Sequence, residues 1–165
     1  MNTTTETISA SNHSPWRLVL LGGFLGGLAD FIYPTVKTVM GGGPWTQPWK
    51  GVAGGLIGQA ARDGGMEVVL LGVFLHFFIC IAAAAILYLV VRQLKWLPRN
   101  WLLLAVIHGV GVLLTMNYVI LPLSKIGRGI YPLESLHVHA FWHIVLVGLA
   151  AGFFVSRAIR QTEGR

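Results

Sequence analysis

Charge is what this sequence has least of. Acidic and basic residues make up 11% of its 165 residues, and 55% are hydrophobic, where an ordinary soluble domain carries about a quarter charged residues. A water-soluble fold made from this chain would have too little polar surface to cover its apolar mass. Cysteine is nearly absent too: Cys80 stands alone, which excludes an internal disulfide and a thiol-based metal site. The phosphate loop GxxxxGK[ST], the nucleophile elbow GxSxG and the zinc-hydrolase signature HExxH are all missing. Ser124 and Ser135 flank a loop, and Asp63 and Glu67 read as surface charges. No catalytic activity is expected of the chain itself. The net charge of +6 would suit nucleic acid only if Lys and Arg clustered on one face. Here they punctuate apolar runs, as membrane insertion demands, and no nucleic-acid partner is expected.

What the sequence does have is long apolar runs. Four of them, Arg17 to Met40, Val68 to Val91, Trp101 to Leu123 and Val138 to Val155, are long enough as helices to cross a hydrocarbon core of about 30 Å. The expected fold is all-α: an integral membrane four-helix bundle in one domain spanning 16–157, with a disordered tail at 1–15 and a C-terminal tail at 158–165. Trp16, Trp96 and Trp101 fall at span ends, and Trp45 and Trp49 in a connecting loop, as suits rings that favour the membrane interface. The apolar segment Gly51 to Ala61 is about 16 Å long if helical, too short to cross. It reads as an interfacial or re-entrant helix between spans 1 and 2.

Orientation follows from positive charge. With both termini inside, seven Lys and Arg residues lie on the inner face (Arg17, Arg92, Lys95, Arg99, Arg157, Arg160, Arg165) against five outside (Lys37, Lys50, Arg62, Lys125, Arg128), which favours cytoplasmic termini. Leu18 to Ala29 resembles a signal-peptide core, but the segment before it is long and contains Glu6, and the apolar run continues through Tyr33. Small residues four apart recur at Gly22/Gly26, Gly23/Gly27, Gly51/Gly55, Gly54/Gly58 and Gly148/Gly152. That spacing lets helix backbones approach closely in lipid, and contacts within one chain or between subunits of an oligomer would both satisfy it.

The candidate site is the set of polar residues that lipid should exclude: Asp30, His76, Asn117, His139 and His143. Counted from the face bearing the 41–67 and 124–136 loops, Asn117 and His143 lie about 10 Å deep, His76 about 13 Å, and Asp30 about 10 to 15 Å, with His139 nearer the surface. His108 sits about 10 Å from the opposite face, with no partner expected at its depth. A lone Asp in hydrocarbon is disfavoured by about 2.5 to 3.5 kcal/mol. Asp30 is therefore expected to face the bundle and lie within direct or water-bridged hydrogen-bond reach of His76 or His143, with Lys37 as the competing partner. Four readings of this layer stand open. It is hydrogen-bonded glue, a transition-metal site for zinc, iron or manganese built from Asp30, His76 and His143, a proton or ion path, or a haem held by His76 and His143.

The stretches GGLADFIYPTVKTV, GVAGGLIGQAARDGG, LGVFLHFFI and MNYVILPLS resemble a group of short, functionally uncharacterised four-span bacterial inner-membrane proteins. A weaker likeness, in architecture more than motif, is to the YagU-type inner-membrane proteins associated with acid resistance. The resemblance implies a bacterial inner-membrane location and carries no site residues. The resulting expectation is a structural or stress-response membrane component. The alternative is a bundle that binds or transports a small solute, proton or metal ion through its Asp/His layer.

Overall fold

The computed structural model describes residues 14–94 and 100–163. Most of the expected N-terminal tail, together with Lys95, Trp96, Arg99 and Arg165, lies outside the described residues. Five helices are described: α1 (Pro15–Met40), α2 (Gln47–Ile57), α3 (Met66–Gln93), α4 (Trp101–Leu123) and α5 (Leu133–Glu163). No strand occurs among the described residues. Four of the helices, α1, α3, α4 and α5, are long and apolar enough to cross a membrane. Local chemistry sets several boundaries. Pro15, whose missing N–H would have no helical partner anyway, opens α1. The Asn100 side chain caps α4 by accepting from the N–H groups of Leu102 and Leu103 at 2.9 and 3.2 Å. Glu67 on the first turn of α3 accepts the Gly65 N–H at 2.8 Å.

Glycine decides how the spans meet. The two overlapping pairs on α1 are one residue apart, so they point about 100° from each other and serve different neighbours. Gly22 and Gly26 meet α5: a Cβ at Gly22 would come 2.8 Å from Phe154 Cβ, and one at Gly26 would come 3.0 Å from the Val147 carbonyl. Gly23 and Gly27 meet α3, where a Cβ would approach Ile81 Cα at 2.7 Å and Cys80 Cβ at 3.1 Å. On the far side of α5, Gly148 and Gly152 lie against the Ala105 backbone of α4, and Gly109 of α4 lies against Ile144. These glycines therefore make contacts within the chain. The same spacing on α2 does not mark a helix contact, since nothing lies within 4 Å of a Cβ at Gly51. There the close approach comes from α3, where Gly72 receives the Trp49 carbonyl.

The short helix begins earlier than the apolar segment suggested, at Gln47. Trp49 consequently belongs to it and is 1% exposed: its indole stacks on Phe31 of α1 at 4.2 Å. It is an anchor under the helix, whereas Trp45 remains exposed. Lys125 N–H donates to the Gly55 carbonyl at 2.9 Å, tying α2 to the α4–α5 loop. At the opposite end of the bundle, Val19, Ala84, Leu87, Leu104, Val155 and Ile159 form a buried apolar core. Helix α5 runs through the expected C-terminal tail to Glu163, and Ala158 and Ile159 pack in that core.

Gly72→Ala should lower stability by about 1–3 kcal/mol through overpacking against Trp49. Gly111→Ala, with nothing within 4 Å of its Cβ, should be neutral or gain up to about 1 kcal/mol of helix propensity. Unfolding of both variants in detergent measures the contrast.

Candidate functional site

The helix registers show which polar residues share a level. Gly22 meets Ala151 and Gly26 meets Val147, so the next step of four brings Asp30 opposite His143. Gly27 lies against Phe77 and Cys80, which sets Asp30 at the height of His76. Gly109 lies against Ile144, so His108 belongs to the same layer. The sequence count had instead placed His108 apart and Asn117 within the layer. The difference arises because α5 starts at Leu133, setting His143 about 15 Å along its helix, while Asn117 is only about 9 Å from the end of α4 at Leu123.

Two of the candidates hold backbone. His76, 8% exposed, donates its Nε2–H to the Gly27 carbonyl at 2.9 Å, joining α3 to α1. A carbonyl only accepts, so Nε2 carries a proton. Trp49 and Phe77 stand edge-on to the imidazole at 5.1 and 5.3 Å, and Cys80 Sγ lies 3.9 Å from Nε2. Asn117, 2% exposed, clamps the α4–α5 loop. Its Oδ1 accepts the N–H groups of Ile130 and Tyr131, each at 3.0 Å, and its Nδ2 donates to the Tyr131 carbonyl at 3.1 Å. Asn117 lies in a π-helical turn, Met116–Ile120, just before Pro122. The missing proline N–H leaves the Tyr118 carbonyl without its usual donor. A second π-helical turn, Ile144–Gly148, follows His143. Such turns are frequent at functional sites.

The clamped loop delivers Tyr131, which the sequence reading missed, onto α5. Its ring lies 3.8 Å from His139 and 6.2 Å from His143, centre to centre. Burial, followed by the charge of Asp30 and the neighbouring Tyr33, pushes the Tyr131 hydroxyl above the ordinary phenol value. His143 donates its Nδ1–H to the His139 carbonyl at 2.8 Å.

Asp30 behaves differently. Four residues past Gly26 and three past Gly27, it stands where the α5-facing and α3-facing stripes of α1 converge, and its charge reaches Cys80 on one side and Tyr131 on the other. Among the described residues it accepts no hydrogen bond and makes no ion pair, with either histidine or with Lys37. Lys37 instead places its ammonium 5.9 Å from the Tyr33 ring centre. Pro34 lies within α1 and has no N–H to give, so the Asp30 carbonyl lacks its helical donor. The spacing of Pro34 four residues after Asp30 was the available sequence signal. His108 is 4% exposed, one turn beyond the core residue Leu104, and its Nε2 has no hydrogen-bond partner among the described residues; the Trp49 indole N–H is in the same position.

The metal and haem readings do not fit these positions. Among the described residues no three His, Cys, Asp or Glu side chains gather closely enough to hold a metal ion. His76 has Nε2 engaged by the Gly27 carbonyl and stands edge-on to Trp49 and Phe77, an arrangement that serves packing between α3 and α1. Comparisons with protein families, curated proteins and solved structures give no match.

Asn117→Ala should leave the Ile130 and Tyr131 N–H groups unpartnered at about 1–3 kcal/mol each, and faster amide exchange across residues 128–132 would show it. Tyr131→Phe tests the phenol. A raised folded-state pKa contributes stability that is fully present below about pH 10 and is lost as pH rises through the folded value. Unfolding midpoints of the wild type should therefore fall more steeply above about pH 10 than those of Tyr131→Phe.

Proposed function

We propose that this chain is a multi-pass bacterial inner-membrane protein, with both termini cytoplasmic, that binds a proton or small cation in a one-sided polar chamber centred on Asp30, without catalysing a reaction. The observation carrying this reading is the lack of any hydrogen-bonded or ionic partner for the Asp30 carboxylate among the described residues. A carboxylate kept as glue would be bonded to a neighbouring segment, as His76 is to α1 and Asn117 to the α4–α5 loop. The backbone carbonyl of the same residue also lacks its usual helical donor, because Pro34 has no N–H. An ionisable group at membrane depth is by default a candidate for function.

The groups on the elements packed around Asp30 suit proton exchange. They are Tyr33 and Lys37 on α1, His76 and Cys80 on α3, His139 and His143 on α5, and Tyr131 on the loop. The apolar core around Leu104 and Val155 closes the end near the termini, which favours a chamber entered from the loop face over a continuous pore. A second reading, a structural or stress-response component, is favoured by the bonds that His76 and Asn117 give to backbone. The resemblance to short four-span inner-membrane proteins is compatible with either.

Purified protein in nanodiscs, unfolded at pH 4 to 9 with sodium, potassium or an organic ammonium ion, separates the two. A cation at a hundred times its Kd stabilises by about 2.7 kcal/mol. Wild type and the exposed-site control His137→Gln should share a pH- or cation-dependent midpoint that Asp30→Asn lacks. An Asp30→Asn profile parallel to wild type would sink the chamber reading and leave the structural one.

A further inference from the structure

The end of the bundle near the termini carries a second feature, unconnected with Asp30. Between the start of α4 and the last turns of α5 lies a groove of about 590 Å³ lined by Trp101, Phe153, Arg157, Arg160 and Gln161. Its walls have two kinds of chemistry. Trp101 and Phe153 meet edge to face at 5.9 Å, and Phe153 continues onto the exposed apolar flank where Leu102 and Val106 also lie. Above them the Arg157 guanidinium rests on the Phe153 ring at 5.5 Å. Arg160 is held from below by Ser156, donating to its hydroxyl through Nη2 and to its carbonyl through Nε at 3.5 Å. The lining contains two guanidinium groups and no carboxylate.

We infer that this groove seats the headgroup of an anionic phospholipid, with the phosphate on Arg157 and Arg160 and an acyl chain running down the Trp101–Phe153 wall. Four considerations favour this occupant. The groove lies where helices long enough to span the membrane end, at headgroup height. Its charge complements a phosphodiester, and planar guanidinium forks bind phosphate oxygens in pairs. Arg160 is already oriented by Ser156, and an arginine fixed before binding loses less side-chain freedom on binding. Basic pockets between spans at the membrane surface have the chemistry for acidic lipid headgroups. Free phosphate shares the charge but would leave the aromatic wall unused.

The test uses the full chain in zwitterionic detergent, titrated with phosphatidylglycerol, phosphatidylcholine or inorganic phosphate. Native mass spectrometry counts bound lipid, and the unfolding midpoint reports stabilisation. Phosphatidylglycerol should bind wild type about tenfold more tightly than Arg157→Gln/Arg160→Gln, the loss expected from one or two charge-assisted hydrogen bonds. Phosphatidylcholine should not distinguish the two proteins. Arg157→Lys/Arg160→Lys keeps the charge without the fork and should fall between them; it also stands in if the glutamine variant fails to fold. Equal binding of both phospholipids to wild type, equal phosphatidylglycerol binding to wild type and a folded variant, or full stabilisation by inorganic phosphate alone would each overturn the assignment.

Discussion

The close approach of α1 to two neighbours at once is the constraint on which the rest of the bundle depends. Lipid tails are as apolar as leucine, so burial gives membrane helices little reason to associate, and contact must come from packing and polar bonds. Gly22 and Gly26 bring the α1 backbone onto α5, while Gly23 and Gly27 bring it onto α3. A helix wedged between two others in this way fixes the rotation of all its residues. Gly27 also presents its carbonyl to His76, which only a near backbone allows. The position of Asp30 is then a consequence: a residue three or four past these glycines must face the crevice between α3 and α5.

The wedge also sorts the bundle into two halves. Toward the termini the spaces between spans are filled by Val19, Ala84, Leu87, Leu104 and Val155. Toward the loops the corresponding spaces hold imidazoles, Asn117 and Asp30, and the seal is made differently. Trp49 comes in from α2, the loop is folded back by Asn117, and the Lys125 to Gly55 bond joins the two covers. Apolar side chains could not do this work, because the covering segments expose backbone N–H and carbonyl groups that need partners at membrane depth.

The spans were legible because length and hydropathy are properties of single segments. Four runs of apolar residues require four long helices whatever their neighbours do. The layer was only partly legible, since depth depends on where a helix starts and on which residue of the next helix it meets. Hydropathy placed the fourth span at Val138, but Leu133 to Leu136 already turn before the apolar run begins. That shift removed Asn117 from the level of His143, and the Gly109 to Ile144 contact brought His108 in. Trp49 misled for a related reason. An indole in a connecting segment reads as an interface ring, and its stacking on Phe31 requires knowing that α2 folds down against Gly72.

The distribution of bonds among the polar groups is more informative than their shared depth. A buried imidazole or amide is costly only until it finds a partner, and His76 and Asn117 have found theirs on the backbone of α1 and of the α4–α5 loop. Their presence is accounted for by packing alone. The same account fails for Asp30, because nothing in the helix contacts uses its carboxylate: Gly26 and Gly27 make the approach, and His76 bonds to Gly27 rather than to the acid three residues on. An asparagine or alanine would leave every one of those contacts in place. A residue that is expensive in hydrocarbon and unnecessary to the packing around it requires a different reason to be there, and a carboxylate differs from its neutral isostere chiefly in charge. It is on that charge that the proposed binding of a proton or cation rests.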